Sequence, residues 1–81
     1  MEAKILKNSI TAADNGRVEY TVIANNQRYR GFIEEAFFQD VLGQTNAPVE
    51  QKLSLTTTNL RYLETLTNQQ IQAGREEIVI I

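Results

Sequence analysis

The sequence predicts an α+β domain: an antiparallel sheet built on a central β-hairpin, with two helices packed on one face. Three observations predict it. A strand-turn-strand pattern runs from Arg17 to Ile33 around Asn25-Asn26, apolar residues recur at helical spacing from Leu60 to Ile71, and the chain closes on Ile78-Val79-Ile80-Ile81. The expected order is strand, hairpin, helix, strand, helix, strand. Residues 1–81 read as one domain, with no internal repeat, low-complexity tract or dividing linker.

The first strand is expected over Ala3 to Ile10, with Ile5, Leu6 and Ile10 as its apolar residues, and Asp14-Asn15-Gly16 forms a turn. The hairpin follows. A two-residue loop of Asn25 and Asn26, residues that tolerate positive φ, sets Ala24 opposite Gln27, Val22 opposite Tyr29, Tyr20 opposite Gly31 and Val18 opposite Ile33. In that register Val18, Tyr20, Val22, Tyr29 and Ile33 share the core face, and the Tyr20 ring lies across the bare backbone of Gly31.

From Glu34 to Leu42 the pattern turns helical, with Phe37, Phe38, Val41 and Leu42 apolar. Glu34 and Glu35 suit the positive end of the dipole, and Gly43 is placed to stop the helix. Val49 to Thr57 reads as a strand, since Val49, Leu53 and Leu55 alternate with Glu50, Lys52, Ser54 and Thr56, and three successive threonines weaken a helix. The competing reading starts a long helix at Pro48. The late helix carries the stripe Leu60, Leu63, Leu66, Thr67 and Ile71 with Tyr62 at its edge, capped by Thr57 or Thr58 and ended by Gly74. The closing run lacks alternation, so it is expected to be covered on both faces or paired with another chain.

Composition narrows the chemistry. There is no cysteine and no histidine, which excludes disulfides, thiolate catalysis and Cys/His zinc sites. No cofactor or metal is expected. The carboxylates Glu34, Glu35, Asp40 and Glu50 are the residues left for acid–base or metal chemistry, but they fall at a helix start and in a loop, and the chain reads as a non-enzyme. The amino terminus lacks the apolar run of a signal peptide and no segment is apolar enough to span a bilayer, so a cytoplasmic address away from membranes is expected. Net charge is −2 but unevenly spread: residues 1–33 carry five cations against three anions, and residues 34–81 carry three against seven.

Two surfaces are candidate contacts. The outward side of the hairpin holds Glu19, Thr21, Ile23, Arg28, Arg30 and Phe32, and of these Ile23, Arg28, Arg30 and Phe32 are the candidate partner-binding residues. Arginine grips carboxylate or phosphate through two parallel bonds, and an aromatic beside it fills a partner's pocket or stacks a base. The competing reading lays a helix over Ile23 and Phe32, leaving the arginines at the sheet margin. The second surface is the polar face of the late helix, where Arg61, Thr65, Asn68 and Gln72 gather with Gln69. The apolar closing run also offers itself for edge-strand pairing.

The segment Val18 to Leu42, a hairpin leading through Phe32-Ile33-Glu34-Glu35-Ala36 into a short helix, resembles a small bacterial family of uncharacterised domains of unknown function. Asn59-Leu60-Arg61-Tyr62-Leu63-Glu64 is similar to that family's Asn-Arg helix start, with Gly74 before a closing strand. In this chain a leucine separates the asparagine from the arginine, and threonine stands where the family has an aromatic. The resemblance implies an α+β fold without implying an activity, and it favours a long helix through residues 49–57. The function expected is therefore binding of a protein partner, or self-association, through the outer hairpin face or a sheet edge. The alternative is weak nucleic-acid binding through Arg28, Arg30 and the amide-rich late helix; so few cations neutralise few phosphates.

Overall fold

The computed structural model describes residues 3–81. Five strands form one sheet: β1 (Lys4–Ile5), β2 (Thr11–Ala12), β3 (Val18–Ala24), β4 (Gln27–Ile33) and β5 (Glu77–Ile80). The order is β1-β3-β4-β5, with β2 sharing the β1 side of β3. Two helices, α1 (Val49–Thr58) and α2 (Leu60–Gln72), complete the α+β fold. Among the described residues no helix is long and apolar enough to cross a membrane.

The hairpin adopts the expected register throughout, from Val18 opposite Ile33 to Ala24 opposite Gln27. Asn25 and Asn26 both take positive φ (54° and 62°), the mirror-image turn whose twist matches that of the strands. Tyr20 covers Gly31 so closely that a Cβ at position 31 would overlap its ring. Val18, Tyr20, Val22 and Ile33 are buried on the inner face, where they meet Phe37, Phe38, Leu63, Ile78 and Ile80 in one core.

The expected first strand, Ala3 to Ile10, is instead two short strands separated by a 3₁₀ turn at Lys7–Ser9. Ser9 mends the break. Its hydroxyl accepts the Thr21 N–H (2.8 Å) and donates to the Leu6 carbonyl (2.6 Å), so β3 loses no partner where β1 leaves it. The helix expected from Glu34 is present but widens into a π-helical turn at Phe37–Val41, with Phe37 and Phe38 buried and Val41 exposed, and it ends at Gly43.

Residues 49–57 are helical, which corrects the strand expected there. The most deeply buried residues of α1 are Lys52 and Thr56, a polar pair four residues apart that hides the helical period, while Leu53 and Leu55 are only partly buried against the core. The threonines are accommodated because Thr56, Thr57 and Thr58 each donate a hydroxyl to the carbonyl four residues back. Those same bonds remove Thr57 and Thr58 from capping α2. Asn59 alone separates the two helices, with its amide bonded back to the Leu55 carbonyl (2.8 Å).

The stripe expected on α2 faces the sheet, with Leu63 and Thr67 fully buried. Gly74 ends the helix with φ near +88°, and the Gly74 and Arg75 amides bond the Ile71 and Gln70 carbonyls in a Schellman closure. The chain then enters β5 parallel to β4, which makes the sheet mixed where pure antiparallel pairing was expected. A strand reached through a long helical crossover can return in the direction of its neighbour. Ile78 and Ile80 are buried and Val79 is partly covered, so β5 is a core strand that also forms the sheet margin.

Candidate functional site

Strand alternation decides what the sheet shows on its far side. With Val18, Tyr20 and Val22 turned inward, Glu19, Thr21 and Ile23 must turn outward, and register sets Phe32, Arg30 and Arg28 directly opposite them. The two outer strands extend the rows. Lys4 stands beside Ile23, Thr11 beside Glu19, Glu77 beside Arg30 and Val79 beside Phe32.

The four residues singled out from the sequence, Ile23, Arg28, Arg30 and Phe32, therefore do share one surface. They differ in exposure. Arg28 and Arg30 are exposed and Ile23 is half-buried, while Phe32 is only 8% exposed. What covers the ring is not a helix. The Arg17 guanidinium lies 4.3 Å from its centre and that of Arg30 5.7 Å away, so Phe32 serves as the floor beneath two cations. Arg30 is further held by Glu19 (Nε to Oε2, 2.8 Å), and Arg17 lies 3.6 Å from Glu34. Exposed pairs of this kind contribute about 0.2–1 kcal/mol each, so their main effect is to fix where the guanidinium planes stand. Arg28 enters no ion pair among the described residues and stands in register with Ile23.

Sequence reading missed Arg17 and Glu34 as members of this cluster. The signal was present, since alternation continued one residue beyond each strand end brings both to the outer face. It also missed Glu77 and Val79, which join only through the parallel pairing of β5.

The second surface is divided. Arg61, Thr65 and Asn68 line a shallow cleft of about 300 Å³ together with Ala3, Lys4 and Glu64, at the junction of α2 with β1. Gln72 lies beyond it, exposed near the helix end. Arg61 and Thr65 are tied by a bond from the threonine hydroxyl to the arginine carbonyl (3.1 Å), and Glu64 is occupied by the backbone of β1.

Of the carboxylates considered for chemistry, Glu34 faces Arg17, and Glu35 accepts from Lys52 Nζ (2.7 Å). Asp40 and Glu50 are exposed. The Lys52 ammonium is almost fully buried, also donates to the Gly16 carbonyl (2.8 Å) and lies 5.7 Å from the Phe38 ring centre. These bonds tie α1 to the Asp14–Gly16 turn and to the start of the π-helical turn. In the core, Tyr20 Oη and Thr67 Oγ1 are 2.7 Å apart, and burial pushes the tyrosine pKa up to about 12 against the lowering effect of that bond.

Comparison with protein-family models, curated proteins and solved structures finds no match for this chain.

Proposed function

We propose that the chain is a non-enzymatic protein-interaction or regulatory module of the cytoplasm, and that its partner docks on the outer face of the hairpin at Ile23, Arg28, Arg30 and Phe32. The observation that carries this reading is the outer sheet face. Both helices pack on the other side, leaving Ile23 and Arg28 side by side and two guanidinium planes arranged over Phe32. Arginine next to half-buried apolar surface is the composition of interface centres.

Charge favours a protein over nucleic acid. Arg30 and Arg17 already face Glu19 and Glu34, and Glu77 stands in register with Arg30, so the face offers phosphate little uncompensated charge. The amide-rich face of α2 lies in the helical layer, away from the outer arginines.

The test is a pull-down from the native host's lysate after nuclease treatment, comparing the natural chain with Ile23→Glu and Arg28→Glu. A stoichiometric protein that survives nuclease and is lost with Ile23→Glu is the expected result. Capture that disappears with nuclease, or that ignores both substitutions, overturns the proposal. Phe32→Ala is the poorer probe, since that ring also supports the arginines above it.

A further inference from the structure

The margin of a sheet is a row of unpaired N–H and C=O groups ready to accept another strand. Helix α2 places a side chain on both margins. Glu64 Oε2 accepts the Ile5 N–H of β1 (2.9 Å), and at the far side Gln70 engages β5 with both halves of its carboxamide. Between them Thr67 meets Tyr20 of β3. The three residues follow one another at intervals of three along the helix as it crosses the sheet.

The Gln70 contact has the form of strand pairing. The Ile80 carbonyl is taken by the Glu34 N–H, so ladder alternation turns the N–H and C=O of Val79 outward, away from β4. Gln70 Oε1 accepts that N–H (3.1 Å) and Nε2 donates to that carbonyl (2.7 Å). One side-chain amide thus fills the two hydrogen-bond positions that a neighbouring backbone would fill. A glutamine gives up considerable rotamer freedom to hold this pose, although water would satisfy the same groups on an exposed margin.

We propose that Gln70 guards a latent dimer surface by keeping β5 from pairing with the β5 of a second copy. The edge itself argues for this occupant. Ile78, Val79 and Ile80 are all β-branched, and β5 carries neither proline nor lysine, residues that ordinarily make an edge strand refuse partners. Antiparallel pairing about a two-fold axis at Val79 sets Val79 against its own copy and Ile78 against Ile80, a self-complementary match of β-branched side chains.

The experiment is sedimentation equilibrium from low to high micromolar concentration. The natural chain is expected to remain monomeric, and Gln70→Ala to dimerise with an apparent dissociation constant at least about tenfold lower. Adding Val79→Pro to Gln70→Ala removes the outward N–H without touching the bonds to β4, and is expected to restore the monomer. Should Gln70→Ala fail to fold, Gln70→Leu is read in its place; it keeps the bulk of the side chain but can bond neither the N–H nor the carbonyl of Val79. A folded Gln70 variant that stays monomeric overturns the proposal, as does a natural chain that already dimerises or a dimer indifferent to Val79→Pro.

Discussion

Replacing Thr67 by valine removes one hydroxyl from the centre of the molecule while nearly preserving shape. Thr67 and Tyr20 are both fully buried, and their oxygens are 2.7 Å apart. Valine leaves the Tyr20 hydroxyl without that partner and without water, a loss of about 1–3 kcal/mol. The reverse change, Tyr20→Phe, is expected to be milder, about 0.5–1.5 kcal/mol, because the Thr67 hydroxyl can turn back onto its own helix carbonyl as other threonines here do. The double variant removes both polar groups, so its loss is expected to fall short of the sum by about 1 kcal/mol. For a domain of this size 1 kcal/mol shifts the midpoint by roughly 4–8 °C, and urea titration followed by circular dichroism resolves such differences. Strict additivity, or a Thr67→Val chain as stable as the original, would refute the claim that this hydroxyl pair is coupled in the core.

Three further outcomes are expected. Gly31→Ala drives a methyl group into the Tyr20 ring and should destabilise by about 3 kcal/mol, with Tyr20→Leu in the same chain recovering part of the loss in urea titration. Glu35→Gln strips the carboxylate from a buried ammonium and should lower stability by about 1.5–3 kcal/mol, whereas Lys52→Met leaves a half-exposed glutamate and should stay within about 1 kcal/mol; the opposite ranking would refute the tie described above. Since Tyr20 titrates near 12 when folded against about 10 when unfolded, its contribution is intact below pH 10 and is lost as pH rises toward 12. The stability difference between the original chain and Tyr20→Phe should therefore be flat to about pH 10 and then change by about 2–3 kcal/mol across that window.

The hairpin could be read from sequence because every level of local chemistry agreed. Two asparagines set the turn, alternation set the faces, and a glycine opposite a tyrosine set the register. Ile23, Arg28, Arg30 and Phe32 followed from that register alone, whereas Glu77 and Val79 join the face only through the pairing of β5. Helix α1 was hidden for the opposite reason: its two most buried residues are a lysine and a threonine, and burial of Lys52 depends on a carbonyl and a carboxylate distant in sequence. The direction of β5 was equally out of reach, because parallel and antiparallel returns bury the same alternate isoleucines. Gln70 and Glu64 belong neither to the apolar stripe of α2 nor to the polar face read from its sequence, and only the crossing of α2 over the sheet brings them to its margins.

The parallel pairing of β4 with β5 also bears on how the molecule assembles. The hairpin and its two short outer strands join neighbours in the chain, so their loops close quickly. β5 meets β4 only after the chain has passed through both helices, and the entropy of that closure falls on a single four-residue strand. The meander and its tyrosine are therefore expected to form the early framework, with β5 added last and released first. Amide exchange should show this as a split, with β3 and β4 opening only with the whole molecule and β5 opening at lower free energy. Each such opening also withdraws Ile78 and Ile80 from the core and exposes the backbone of β4, making the last strand to join the gate to the interior of the sheet.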